Sequence, residues 1–179
     1  MPTYKIIKIE RIQLRYLWHQ YQLASKRMKM RNRVVREQLL FHGTRATRPE
    51  KIYTSPNGFD VGYARAGRWG KATYFAENAS YSDNFAHVIR EYDIIRKHEV
   101  ERKQMFLAKV LTGTCYHNAA PDSSRTRPPF RQHRDGVDMC HYMYDSVSGV
   151  TCDRSRVYAI FDNFHSYPNY LITYVYRYF

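Results

Sequence analysis

The apolar run 39–41 (LLF) breaks off into His42, Gly43 and Thr44, the pattern of a buried strand that delivers a polar tip where ligand chemistry can sit. Further along, Tyr74, Phe75 and Ala76 close a second short apolar run, 72–76, and Tyr81, Ser82 and Phe85 follow in a polar, aromatic stretch. Imidazole, phenol and serine hydroxyls hydrogen-bond a polar ligand, and aromatic faces stack on a planar ring. Taken singly, a strand-end His is ordinarily a surface residue and each aromatic is ordinarily core. The group has meaning only as an ordered series.

Competing chemistries lack their residues. Segment 62–69 (GYARAGRW) has the glycine spacing of a phosphate-binding loop, but Arg68 and Trp69 stand where Lys and Ser/Thr must hold phosphate and magnesium. No GxGxxG follows a strand, and neither a GxSxG elbow nor an HExxH helix occurs. Cys115, His117, Cys140, His141 and Cys152 form no pair of close ligand pairs, so no metal is expected.

The elements that must position the series follow from periodicity. Residues 4–10 read as a strand, and Leu14, Leu17, Trp18, Tyr21, Ala24 and Met28 recur at helical spacing, with Lys26, Lys29 and Arg33 facing water. Glycines and prolines punctuate 45–68 into a short helix and a long irregular stretch, the latter of the kind that covers ligands. A helix is expected to start within 78–88, and the charged run 89–103 reads as a surface excursion. Segment 105–111 is a core strand, and 140–147, 156–161 and 170–176 are three more candidates, separated from it by a Pro/Arg-rich connector at 120–135. Strands outnumber helices and βαβ alternation is missing. The class is therefore α+β with a mainly antiparallel sheet.

The chain's 179 residues fit one domain spanning 1–179 and can bury a core. A net charge of +13, concentrated at 26–36 and 125–134, reads first as solvated surface and second as a contact for nucleic acid or acidic partners. Three unpatterned cysteines, with no leader or long apolar run, fit a reducing interior, cytoplasmic or nuclear, away from membranes.

Four segments in order, 39–44 (LLFHGT), 70–82 (GKATYFAENASYS), 144–147 (YDSV) and 157–174 (VYAIFDNFHSYPNYLITY), together resemble the catalytic domain of the poly(ADP-ribose) polymerase family. The likeness is greatest to its mono-ADP-ribosylating, macrodomain-containing members, with a tankyrase-like YLITY tail. The resemblance implies an ADP-ribosyltransferase fold: two packed, mainly antiparallel sheets with an NAD⁺ cleft between them, covered by the loop 45–70, working as a monomer without metal. It implies that His42 meets the adenine-side ribose, Gly43 pins the nicotinamide amide, Tyr74 lies near the nicotinamide ribose, Ser82 donates to the carboxamide, and Phe85 stacks on the ring with Tyr81 beside it. Thr44, Phe75 and Ala76 fall within the same cofactor-binding motifs.

Alignment on YPNYLITY places Val157 at the third catalytic position, where polymer-forming relatives carry Glu. A carboxylate there binds the ribose hydroxyl, steadies the cation formed as the glycosidic bond breaks, and polarises the next acceptor hydroxyl. Valine does none of these. The expectation is transfer of one ADP-ribose from NAD⁺ to an acceptor, protein side chains first. The alternatives are an inactive NAD-cleft or RNA-binding module, and transfer to nucleic-acid ends with RNA or DNA held by the basic surface. Asp153 and Asp162 lie four residues before and five after Val157 and are no obvious substitutes. Ala72 and His165 also depart from the family pattern, and no regulatory helical domain is expected ahead of the fold.

Overall fold

The computed structural model describes residues 3–32, 35–93, 97–131 and 142–177. Cys140, His141 and the parts of the basic segments at 33–34 and 132–134 lie outside the described residues. In chain order the elements are β1 (Thr3–Arg11), α1 (Arg15–Asn32), β2 (Glu37–His42), α2 (Glu50–Tyr53), β3 (Ala66–Gly67), β4 (Gly70–Lys71), β5 (Thr73–Ala76) and α3 (Ala79–Asp83). There follow β6 (His87–Asp93), β7 (His98–Leu111), β8 (Cys115–Tyr116), β9 (Ser146–Val150), β10 (Arg156–Ile160) and β11 (Ser166–Arg177).

Among the described residues, nine strands form one sheet in the order β1-β11-β7-β2-β5-β10-β9-β8, with β6 paired to β7; β3 and β4 make a separate two-stranded ribbon. Every pairing is antiparallel except β8 with β9. The α+β, mainly antiparallel reading stands. The two sheets it expected are joined rather than separate: β2 and β5 share a single register pair, Phe41↔Ala76, and hydrogen bonding runs through it.

The helical stripe buries as its spacing requires, with Leu17, Tyr21, Ala24 and Met28 inside and Lys26 and Lys29 exposed. Tyr167 of β11 receives it, its ring 5.2 Å from Trp18 and its hydroxyl accepting from Leu14 N at 3.1 Å. The main core lies where β2, β5, β7 and β10 meet, built on Leu40, Phe75, Phe106, Val110 and Ile160.

The helix expected within 78–88 is only α3, because from His87 onward the chain pairs with β7 instead. In the charged run, β6 pairs antiparallel with the start of β7, and cross-strand charges pair as Arg90–Glu101 at 3.4 Å and Glu91–Arg102 at 3.1 Å. The first part of the connector packs on the ribbon: Lys71 N donates to Arg125 O at 2.8 Å and Asp122 N to Arg68 O at 2.8 Å. Gly70 has φ +111 there, and a Cβ would meet Arg125 O at 2.1 Å, so both conformation and contact demand glycine. Among the described residues, no helix is long and apolar enough to cross a membrane.

Candidate active site

Register lines up four strands. Phe41 of β2 pairs with Ala76 of β5, which pairs with Val157 of β10, which pairs with Gly149 of β9. His42 is one residue past this row and Tyr74 two residues before it, so the positions singled out from sequence sit together across β2, β5 and β10.

His42 ends β2 half-buried, its ring wedged against Phe59 and Phe75 with centroids 5.0 and 5.1 Å away. Its Nδ1 lies 2.7 Å from Tyr74 O. A carbonyl only accepts, so Nδ1 carries the proton. Burial lowers the His42 pKa to about 4, outweighing the opposing effect of the Tyr74 bond. The ring is therefore neutral at physiological pH, and Nε2 is left as an acceptor suited to a sugar hydroxyl.

Phe59 comes from the long loop after β2 and is 2% exposed, packed edge-on against Phe75 and Phe106 at 5.1 and 5.3 Å. It pins the middle of the loop into the core. Sequence reading took this stretch as irregular covering; a single large apolar residue amid turn residues was the available signal. Phe75 is fully buried and Ala76 2% exposed, so their side chains support His42 and the sheet rather than lining a surface.

Tyr74 is half-buried, and its hydroxyl accepts from Trp69 N at 3.0 Å while donating to Gly70 O at 2.7 Å. Burial raises its pKa. Gly67 lies flat against this ring: a Cβ there would approach Tyr74 Cζ to 2.8 Å. Tyr74 thus ties the ribbon to the sheet. Ala72 does not adopt the left-handed conformation and is buried with Trp69, so alanine costs no backbone strain at that position.

On the other side of the tip, Gly43 abuts α3, where a Cβ would stand 2.3 Å from the Phe85 backbone and 2.6 Å from Ser82 O. This contact alone demands glycine and brings Ser82 and Phe85 to His42. Tyr81 and Phe85 have ring centroids 5.2 Å apart at 55°. Two rings so close touch each other, and a planar ring between them needs about 7 Å of separation, two stacking distances. Arg45, in the left-handed region at φ 52, donates its N–H to Phe85 O at 2.7 Å and holds its guanidinium 4.5 Å from the Phe85 ring centre. Nothing in the sequence marked Arg45. Its neighbour Thr44 is occupied locally, its hydroxyl donating to Thr47 O at 2.6 Å.

Val157 is fully buried among Trp69, Ala72, Val147 and Ala159, with Tyr74 and Tyr81 packed alongside. Trp69 lies over Gly149, leaving no room for a Cβ, and its Nε1 donates to Ala119 O at 2.9 Å. The position that the resemblance makes the third catalytic one is thus enclosed by apolar and aromatic side chains. Asp153 sits in the β9–β10 turn, which is fastened to the end of β5 by Glu77 N→Arg156 O at 3.0 Å and Asn78 N→Ser155 Oγ at 3.3 Å.

Among the described residues, no three His, Cys, Asp or Glu side chains gather as a metal-holding group. Two clefts, of about 290 and 370 Å³, flank the start of α1 and share Leu14 and Arg15; they include none of the residues above.

The sequence pattern of the poly(ADP-ribose) polymerase catalytic domain matches residues 1–176. This chain belongs to that family. It is 36% identical over 174 residues to the human protein mono-ADP-ribosyltransferase PARP14, covering 96% of this chain and 9% of that protein. A Dictyostelium discoideum protein named as a probable poly(ADP-ribose) polymerase is 35% identical over 176 residues, 96% of this chain and 45% of that one. Human protein mono-ADP-ribosyltransferase PARP12 is 32% identical over 176 residues, 97% and 22% respectively. The chain thus spans less than half the length of these relatives.

Proposed function

We propose that this poly(ADP-ribose) polymerase-family domain binds NAD⁺ and transfers one ADP-ribose to an acceptor protein, releasing nicotinamide. The observation that carries the reading is the contrast at the row of strands: His42 keeps a free acceptor nitrogen, while Val157, fully buried, offers no carboxylate. Relatives named as mono-ADP-ribosyltransferases support the same reading.

In this reading His42 Nε2 accepts from the adenine-side ribose, Gly43 and Ser82 hold the carboxamide, and Phe85 offers its face to the nicotinamide ring. The C1′–N bond breaks, nicotinamide leaves with the bonding electron pair, and the ribose becomes an oxocarbenium-like cation. An acceptor nucleophile then forms the new bond to C1′. With Val157 apolar, nothing at the third position stabilises that cation or activates a ribose hydroxyl for elongation. An acceptor that brings its own negative charge supplies the missing stabilisation, and the reaction stops after one unit.

The test is incubation with labelled NAD⁺ and mixed protein or RNA acceptors, with Tyr74→Ala alongside. A discrete protein band absent from Tyr74→Ala supports the reading. Label on RNA alone moves the acceptor class to nucleic acid, and no label with NAD⁺ still bound makes the domain an inactive binder.

A further inference from the structure

Asp83 lies between the two residues expected to meet nicotinamide, Ser82 and Phe85, and is unusually committed for a carboxylate. Its side chain is 9% exposed. Tyr174 donates its hydroxyl to Oδ1 at 2.6 Å, Tyr176 donates to Oδ2, and Lys103 Nζ reaches both oxygens at 3.2 and 3.1 Å. Lys103 also donates to the Tyr176 hydroxyl at 3.0 Å and stands 4.4 Å from that ring's centre. Tyr4 of the edge strand β1 packs its ring 4.7 Å from Tyr176 and 5.9 Å from Tyr174. Burial pushes the Asp83 carboxyl up, but the bonds from Tyr174, Tyr176 and Lys103 outweigh it and hold the group below its usual range.

Helix α3 has five residues, too few to hold its own shape or direction. Outside contacts must therefore place it. Backbone ones are Asn78 N to Ser155 Oγ at 3.3 Å, Arg45 N to Phe85 O at 2.7 Å and the close approach of Gly43 to the Ser82 and Phe85 backbones. The side-chain one is Asp83, which fastens the helix end to β7 through Lys103 and to β11 through Tyr174 and Tyr176. We propose that Asp83, clamped by Tyr174, Tyr176 and Lys103, is a positioning residue that sets where Ser82 and Phe85 stand and so governs affinity for the nicotinamide end of NAD⁺. The inference rests on the function proposed above. It adds a determinant outside the three catalytic positions, one whose partners come from strands 20 to 93 residues away in sequence.

The experiment measures KM for NAD⁺, kcat and nicotinamide inhibition for Asp83→Ala, Asp83→Asn and Tyr174→Phe, all well below each variant's melting temperature. Met28→Ala, which opens the α1 core far from α3 in the packing scheme, serves as a destabilised control. A loosened cradle raises KM for NAD⁺ and weakens nicotinamide inhibition by about tenfold in Asp83→Ala, with kcat changed less. Asp83→Asn, whose amide oxygen still accepts a tyrosine hydroxyl, recovers part of the loss, and Met28→Ala moves neither constant. Unchanged constants in Asp83→Ala, or equal changes in Met28→Ala, overturn the inference while leaving the proposed function intact. If Asp83→Ala does not fold, Asp83→Asn and Tyr174→Phe decide the matter by the same constants. A wild-type domain that neither binds nor consumes NAD⁺ overturns the proposed function itself.

Discussion

His42 and Val157 stand on the two strands that flank β5, and their surroundings differ in kind. His42 is wedged between Phe59 and Phe75 yet keeps one nitrogen bonded to Tyr74 O and the other available. Val157 is packed by Trp69, Ala72, Val147 and Ala159, with the rings of Tyr74 and Tyr81 alongside. Hydrocarbon on the first side orients a polar group; on the second it replaces one. On the function proposed above, the half of the site that would hold NAD⁺ and the half that would extend a polymer are thus separable, the first polar at His42 and the second apolar at Val157.

The sharpest way to break that comparison is at the tip. Gly43→Ala drives a Cβ into the Phe85 backbone at 2.3 Å, a contact that no side-chain rotation relieves. It should displace α3 and cut labelling from NAD⁺ by on the order of a hundredfold or more, read from initial rates. Near wild-type rates would mean that α3 is not held by this approach. Next comes the sealed side. Val157→Glu buries a carboxylate in an apolar and aromatic cluster, so it should lower unfolding stability by about 2–4 kcal/mol in a denaturant titration and still yield no polymer. Elongated product from that variant would show that the site lacked only the carboxylate.

A pH profile sharpens the His42 side. Its folded pKa of about 4 lies below the unfolded value near 6.5, so between these values the unfolded chain binds more protons. His42's contribution to stability is then fully present above about pH 6.5 and is lost as pH falls toward 4. Chemical denaturation of wild type and His42→Gln across that window should show a shallower acid slope in the variant; identical slopes would contradict a neutral His42 with a lowered pKa. The smallest effect concerns Arg45. Removing its guanidinium from the Phe85 face in Arg45→Ala should cost about 0.5–1 kcal/mol and change KM for NAD⁺ by no more than several-fold.

Much of this was legible in sequence for local reasons. The tip at 42–44, the helical stripe from Leu14 to Met28 and the strands at β5, β7, β10 and β11 each declare themselves within a dozen residues through periodicity and punctuation. What escaped depends on long-range packing. Phe59 gave only the weak signal of one apolar residue in a turn-rich loop, and its burial against Phe106 follows from how that loop folds back. Arg45 adopts a positive φ that its residue type does not announce. Asp83 finds its tyrosines 91 and 93 residues away. The shortness of α3 escaped for the same reason: pairing with β7 claims the chain from His87, and no feature of 78–88 alone reveals that competition.

The most direct test of the separation between the two halves is the length of the product. Acceptor protein labelled by the wild-type domain would be digested with phosphodiesterase and the nucleotides resolved: a single attached unit releases AMP, whereas an internal unit of a chain releases phosphoribosyl-AMP. AMP alone is the predicted result. Phosphoribosyl-AMP in quantity would contradict the account, because it would mean that a domain with hydrocarbon at Val157 still activates a ribose hydroxyl.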